Sequence, residues 1–197
     1  MTADYPEDQL GREPAPPYVG EGSFALWHFS EDPSLGRFRP HIPSTSPGAP
    51  PAVWAVDTRH APMFWFPRDC PRGCIWSAST TTSDDRERFF GQGNANRVHV
   101  IESGWLARMQ TCVLYAYRLP TEPFWPHDVG GYWVTDETVD ATERVVVDDL
   151  LGRHASARIE LRITPSIWPF WRRVMDSTVE GSGSRLRNAS PHPDQFD

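Results

Sequence analysis

The chain contains no lysine: all 19 basic residues are arginine, and 26 acidic residues leave a formal net charge of −7. Nucleic-acid-binding proteins usually carry a basic patch, so the acidic balance argues against a nucleic-acid partner. No apolar run approaches the roughly 18 residues that a transmembrane helix needs, which predicts no membrane partner. The first 20 residues are acidic and proline-rich, and they lack the apolar segment of a signal peptide.

Cysteine is scarce, with three residues in the chain. An odd number of cysteines without an export signal predicts a cytoplasmic protein with free thiols. Cys70 and Cys74 form a C-x3-C pair, with His60 upstream and Cys112 far away. A structural zinc site needs about four ligands, and a second close pair is missing. We therefore predict buried thiols and no metal site.

The common catalytic signatures are also absent. The sequence has no G-x-S-x-G elbow, no phosphate-binding loop, no H-E-x-x-H and no G-x-G-x-x-G, each of which would indicate a specific chemistry. Candidate functional residues must therefore be sought among isolated polar side chains in apolar surroundings.

Aromatic residues are abundant, and nine Trp and ten Phe exclude a wholly disordered chain. The polar, proline-rich start predicts a disordered tail over residues 1–22, followed by a single globular domain over 23–178. Residues 179–197 are polar and predict a loosely ordered C-terminal tail. Within that tail, Leu186 and Ala189 favour docking of the segment 185–189.

Short apolar runs bounded by Pro, Gly or Asp predict strands at residues 23–29, 53–57, 74–78, 97–102, 113–119, 131–134, 143–147 and 159–163. Helical spacing predicts a helix over 60–66 after a Thr58 cap, a helix over 149–155, and a final helix from Pro165 through Val174. The polar composition of residues 80–90 predicts a surface excursion. Because strands and helices do not alternate regularly, we predict an α+β fold with a mixed, mostly antiparallel sheet and a few short helices.

His28 lies inside an apolar strand, and Ser30 follows two positions later. Side chains two apart on a strand share a face, so both should point to one side. His28 is a candidate catalytic residue, and Ser30 is a candidate ligand-binding residue. The alternative is a half-buried histidine whose hydrogen bonds are internal.

Asp57 ends a second, wholly apolar strand, and His60 follows three residues later. Strand ends position catalytic groups well, which makes Asp57 a candidate catalytic carboxylate and His60 a candidate ligand-binding residue. Asp also suits a helix cap. Both interpretations stay open.

Arg68 follows Pro67 and Arg72 follows Pro71, in a segment that also contains Asp69. Prolines stiffen the backbone, and fixed guanidinium groups bind phosphate or carboxylate oxygens in pairs. The alternative is an internal Arg–Asp pair. Later in the chain, Asp136 and Glu137 follow a strand and are the nearest acidic candidates, unless they are solvated turn residues.

Two short stretches, Leu26–Ser30 and Val53–Asp57 followed by His60 and Ala61, resemble the first strand and the next strand and helix of ADP-ribosyltransferase-like folds. The resemblance implies that His28 and Ser30 contact a ribose of NAD and that Trp54 replaces a tyrosine that stacks on nicotinamide. It also implies a catalytic Glu on a late strand. Here that strand reads Gly-Tyr-Trp-Val-Thr without Glu, so Asp136 or Glu137 would act from its far end.

The motifs HFSEDPS at 28–34, VWAVD at 53–57, FPRDCPR at 66–72 and RLRNA at 185–189 also resemble a bacterial family of small proteins that has no assigned activity. Together the resemblances favour an enzyme that acts on NAD or a related nucleotide by ADP-ribosyl transfer or glycosidic cleavage. The sequence does not identify the acceptor of such a transfer. The alternatives are a non-catalytic nucleotide- or sugar-phosphate-binding domain and a protein-interaction domain. A pocket function predicts that His28, Asp57 and Arg68 converge on one cleft.

Overall fold

The computed structural model describes residues 13–43, 47–91, 93–127 and 130–191. In chain order the strands are β1 (Leu26–Ser30), β2 (Arg37–Phe38), β3 (Val53–Asp57), β4 (Arg72–Trp76), β5 (Arg97–Glu102), β6 (Leu114–Leu119), β7 (Trp125–Pro126), β8 (Tyr132–Thr135), β9 (Val139–Asp140), β10 (Glu143–Val147), β11 (Glu160–Thr164) and β12 (Glu180–Ser184). The helices are α1 (Ser83–Phe90), α2 (Leu106–Thr111), α3 (Leu150–Ser156) and α4 (Trp168–Met175), with 3-10 turns at Ala61–Phe64, Ser103–Trp105 and Leu186–Asn188.

The strands form two main sheets. The six-stranded sheet has the order β10-β6-β1-β3-β8-β7, and its neighbours pair antiparallel. The four-stranded sheet has the order β11-β5-β4-β12, and within it only β11 and β5 pair parallel. Strands β2 and β9 form a small separate ribbon. The predicted α+β class with mostly antiparallel sheets is confirmed.

The largest apolar cluster lies between the two main sheets. Val56, Leu114 and Val147 enter it from the six-stranded sheet, and Cys74 and Ile101 enter it from the four-stranded sheet. Separate clusters cover the outer face of each sheet, and α4 packs on the outer face of the four-stranded one. Among the described residues, no helix is long and apolar enough to cross a membrane.

The helix predicted over 60–66 is a shorter 3-10 turn over Ala61–Phe64, and Thr58 does not cap it. The Thr58 hydroxyl instead donates to the carbonyl of Ser23 and accepts from the amide of Ala25, at 3.0 and 2.9 Å. A hydroxyl used to hold the chain before β1 is not available to a helix terminus, which explains the difference.

Most of the polar segment 80–90, which was predicted as a surface excursion, forms the helix α1. The Thr82 hydroxyl caps α1 by accepting from the Asp85 amide, and acidic residues occupy its first turn. Both features stabilise a helix N-terminus. Phe89 and Phe90 bury the end of α1 against the outer face of the four-stranded sheet.

Both chain ends contribute more to the fold than their composition predicts. Of the tail predicted over 1–22, residues 13–22 are described, and Ala15 among them is fully buried; residues 1–12 lie outside the described part. Residues 180–184, predicted to be loosely ordered, form β12 and pair with β4. Main-chain pairing needs no apolar side chains, so a Gly/Ser-rich strand of this kind gives no periodic signal.

Candidate functional site

A pocket of about 120 Å³ lies where the two main sheets meet. Strands β1 and β6 supply one side, and Arg72 at the start of β4 supplies the other. The lining residues are His28, Phe29, Ser30, Phe64, Phe66, Arg68, Arg72, Leu114 and Arg185. We call it the arginine pocket. Four residues predicted from the sequence, His28, Ser30, Arg68 and Arg72, are therefore brought together.

Arg72 is the most deeply buried cation of the pocket, with 5% of its surface exposed. Its Nε and Nη1 donate to the carbonyl oxygens of Met63 and Cys70, at 2.7 and 3.1 Å. Its guanidinium carbon lies 5.4 Å from the ring centres of both Phe64 and Phe66. These contacts fix the group but do not neutralise it, and within the described residues no carboxylate forms an ion pair with it.

Arg185 approaches from the segment after β12, where a left-handed backbone (φ 56°) turns the chain toward the pocket. Its Nε donates to the carbonyl oxygen of Arg68 at 3.2 Å. Burial lowers the pKa of Arg185, and the neighbouring Arg72, Arg187 and Arg68 lower it further, while Asp69 acts in the opposite direction. The pocket therefore gathers positive charges that repel one another.

The alternative of an internal Arg–Asp pair in the segment 68–72 is not observed in the part of the chain that the structure describes. The Asp69 carbonyl instead accepts from the Asn188 side chain at 2.8 Å. Together with the Arg185–Arg68 bond, this contact docks the segment 185–189 against the loop before β4, as Leu186 and Ala189 suggested. Both of these residues pack against the outer cluster of the four-stranded sheet.

His28 and Ser30 form the β1 side of the pocket. Nδ1 of His28 lies 3.1 Å from the Trp54 carbonyl oxygen, and its ring packs on Phe38. Burial lowers the pKa of His28, and the positive charges of Arg68 and His41 add to the effect. The ring is therefore mostly neutral at pH 7. Ser30 is almost fully buried, and its hydroxyl accepts from the amide of Asp32 at 3.1 Å.

Asp57 and His60 meet one another but do not line the pocket. Oδ1 of Asp57 accepts from the backbone amide of His60 at 3.0 Å and from its Nδ1 at 2.8 Å, and Oδ2 accepts from Trp133 Nε1 at 3.4 Å. Nε2 of His60 accepts from the Ala15 amide at 3.1 Å. The hydrogen bond from the His60 amide to the Asp57 carboxylate closes the turn before the 3-10 helix. Asp57 does not cap that helix, because His60 is the N-cap residue and no side chain caps it.

Trp54 and Glu137 also lie away from the arginine pocket. The Trp54 ring packs 4.7 Å from His127 and 5.9 Å from Tyr132, centre to centre, so only its carbonyl reaches His28. Glu137 is exposed in the turn after β8, where its amide donates to the Thr135 hydroxyl. Neither predicted carboxylate, Asp57 or Glu137, therefore lines the pocket.

The other five lining residues were not predicted from the sequence: Phe29, Phe64, Phe66, Leu114 and Arg185. Phe64 and Phe66 give a weak signal, because both rings come shortly before the Pro–Arg segment. Arg185 belongs to the RLRNA motif, but only the docking of that segment brings it to Arg68. Among the described residues, no group of three or more His, Cys, Asp or Glu side chains could hold a metal ion.

Residues 27–189 match the model of a family of unknown function, DUF6886. Because the match covers well over half of the chain, the protein belongs to this family. The matched range includes every residue that lines the arginine pocket. No curated protein and no solved structure matches the chain.

Proposed function

We propose that the arginine pocket binds the phosphate group of a small molecule, a nucleotide or a sugar phosphate. The main observation behind the proposal is the buried Arg72, whose contacts among the described residues are neutral carbonyl oxygens and aromatic rings. Buried charges are normally paired, and the planar guanidinium fork matches phosphate oxygens. Arg68 and Arg185 add two further cations, in a protein whose net charge is −7.

The volume of the pocket limits what it holds. Sites that enclose a whole cofactor measure roughly 300–1,000 Å³, and this pocket measures about 120 Å³. It therefore suits a phosphate group whose sugar and further substituents extend outside it. His28 and Ser30 line its β1 side.

NAD is the member of this ligand class to test first, because His28 and Ser30 are the residues that the resemblance to ADP-ribosyltransferase-like folds assigns to it. Cleavage of NAD would need a carboxylate beside the sugar carbon that gains positive charge. Since Asp57 and Glu137 do not line the pocket, the geometry favours binding over cleavage. We place this function in the cytoplasm, where the free thiols of Cys70, Cys74 and Cys112 stay reduced.

The test is calorimetric titration of the full chain with NAD, ribose 5-phosphate and inorganic phosphate. Arg68→Gln, Arg185→Gln and His28→Ala are compared with Arg173→Gln, which removes one positive charge from the exposed face of α4. Hydrogen bonds to charged groups contribute about 1.5–3 kcal/mol, so each pocket arginine variant should bind at least about tenfold more weakly. Arg173→Gln should bind like the wild type.

Two results would overturn the proposal. One is a folded wild-type protein, shown by circular dichroism, that binds none of the three phosphate compounds. The other is an equal loss of affinity in Arg173→Gln, which would mean that net charge and not the pocket attracts the ligand. Release of nicotinamide from bound NAD is followed in the same samples, and none is expected.

A further inference from the structure

A second cavity, of about 230 Å³, lies beside the arginine pocket. We call it the aromatic cavity, because the rings of Tyr18, Trp27, Phe29 and Trp65 form much of its wall. Its remaining lining is mostly small or aliphatic, and it includes Ala116 and Val145. Apart from Phe29, none of these residues lines the arginine pocket.

The two cavities are neighbours along strands β1 and β6 of the six-stranded sheet. Phe29 lines both of them. Trp27 precedes it by two residues on β1, so the two side chains share a face. On the adjacent β6, Ala116 pairs with Phe29 and lines the aromatic cavity, whereas Leu114, two residues away, lines the arginine pocket. Two residues along a strand span about 7 Å, a gap that a five-carbon sugar bridges.

The aromatic rings of the cavity are held in place. Nε1 of Trp27 donates to the Thr58 hydroxyl at 3.2 Å. Trp65 meets the Tyr18 ring edge to face, with 5.6 Å between the ring centres, and the Tyr18 hydroxyl donates to the Thr58 carbonyl at 3.2 Å. Trp27 and Trp65 are only partly buried. Fixed and accessible aromatic faces bind flat rings by stacking.

We propose that the aromatic cavity binds the base of the same ligand, so that the protein recognises a nucleotide rather than a sugar phosphate. The proposal rests on the proposed function, since it requires the phosphate in the arginine pocket. The proposal is supported by the shared Phe29 and by the spacing along β1 and β6. In this arrangement the phosphate lies beside Arg68, Arg72 and Arg185. The sugar then crosses Phe29, and the base lies against Trp27 and Trp65.

The experiment compares ribose 5-phosphate with the 5′-monophosphates of adenosine, uridine and nicotinamide riboside, by calorimetry on the full chain. Stacking of a base on aromatic side chains strengthens binding by about tenfold or more. At least one of the three nucleotides should therefore bind about tenfold more tightly than ribose 5-phosphate, which lacks the ring.

Strand β10 offers a matched pair of variants. Val145 lines the aromatic cavity and is 38% exposed, and the adjacent Val146 is 49% exposed and does not line it. Successive strand residues point to opposite faces, so Val145→Phe fills the cavity and Val146→Phe does not. Val145→Phe should abolish the advantage of the nucleotide and leave ribose 5-phosphate binding unchanged. Val146→Phe should preserve both.

Failure of this proposal and failure of the phosphate site give different results. If ribose 5-phosphate binds and no nucleotide binds more tightly, the base site is overturned and the phosphate site stands. The base site is also overturned if Val145→Phe leaves the nucleotide advantage intact. If no phosphate compound binds to the folded protein, the phosphate site fails, and the base site fails with it.

Discussion

Nδ1 of His28 donates a hydrogen bond to the backbone carbonyl of Trp54 over 3.1 Å. Main-chain pairing of β1 with β3 covers Leu26 and Trp27 and stops before His28. At this position a side chain therefore contacts the backbone of the neighbouring strand. Because the carbonyl can only accept, Nδ1 carries the hydrogen, and in the neutral ring Nε2 is left as an acceptor.

The first prediction concerns the titration of His28. Burial and the neighbouring Arg68 and His41 lower its pKa in the free protein, and a bound phosphate group would favour the protonated ring. We expect the pKa of His28 to rise when ribose 5-phosphate saturates the pocket, as measured by NMR of the imidazole nitrogens. Sodium chloride at equal ionic strength is the control. An unchanged pKa at saturation would place the anion elsewhere.

The second prediction concerns the Asp57–His60 pair, both members of which are almost fully buried. A hydrogen bond to a charged group contributes about 1.5–3 kcal/mol, and removal of the Asp57 carboxylate would leave the buried His60 and Trp133 donors without their acceptor. Asp57→Ala should lower the free energy of unfolding in urea by about that amount.

Asp140→Ala is the matched control, since Asp140 pairs with Arg37 at 3.2 Å while both side chains are more than half exposed. Such a pair contributes at most about 1 kcal/mol. Equal losses in the two variants would mean that the buried pair gives no special stability.

The third prediction concerns Gly131, which has a φ of +77° and accepts from the Asp57 amide at 3.0 Å through its carbonyl. A Cβ at this position would overlap the His60 ring. Gly131→Ala should lower the free energy of unfolding by about 2–4 kcal/mol, because strain and overpacking add. Gly104→Ala, where a Cβ meets no atom within 4 Å, should change it by less than about 1 kcal/mol. Similar values for both would contradict the packing argument.

The fourth prediction concerns pH and the buried pair His99 and His154. Nδ1 of His99 lies 3.0 Å from Nε2 of His154, whose own Nδ1 donates to the Leu150 carbonyl at 2.7 Å. Burial lowers the pKa of His154 to about 4 and holds the pKa of His99 well below its usual range. In the unfolded chain both rings take up protons near pH 6.5, so the unfolded state binds more protons below that value.

Stability should therefore be highest above about pH 6.5 and fall as the pH drops toward 4, by about 1.4 kcal/mol per pH unit for each buried histidine. Urea unfolding at a series of pH values measures this slope. His154→Phe, which keeps an aromatic ring beside Phe66, should reduce the slope, and His41→Gln at an exposed site should not. If His154→Phe leaves the pH dependence of the free energy of unfolding unchanged, the His99–His154 pair is not the cause of that dependence.

Sequence reasoning recovered the elements whose signal is local. Residues 53–57, 97–102 and 143–147 were predicted as strands with the bounds of β3, β5 and β10, because each run is β-branched or apolar and ends at a clear boundary. Strand β12 was missed, since its Gly/Ser-rich sequence becomes a strand only through pairing with β4, a partner about one hundred residues earlier.

The candidate site likewise contains residues that were predicted from local sequence and a residue that only long-range docking brings in. His28, Ser30, Arg68 and Arg72 were predicted as ligand-binding or catalytic residues from their strand positions and flanking prolines, and they line one pocket. Arg185 reaches that pocket only because the C-terminal segment docks. Asp57 and His60 show a spacing that suits catalysis, but the chain around Ala15 folds over them and occupies Nε2 of the histidine. Long-range docking of this kind leaves no periodic pattern in the sequence.

The gathering of Arg68, Arg72 and Arg185 at the junction of the two sheets has a consequence for evolution. Like charges held together weaken the folded state when no anion is bound, and neutral side chains there would relieve the repulsion. Residues that serve binding are commonly retained against stability in this way. Selection for stability alone should therefore replace these arginines, and sequences that keep all three should be those that keep the ligand.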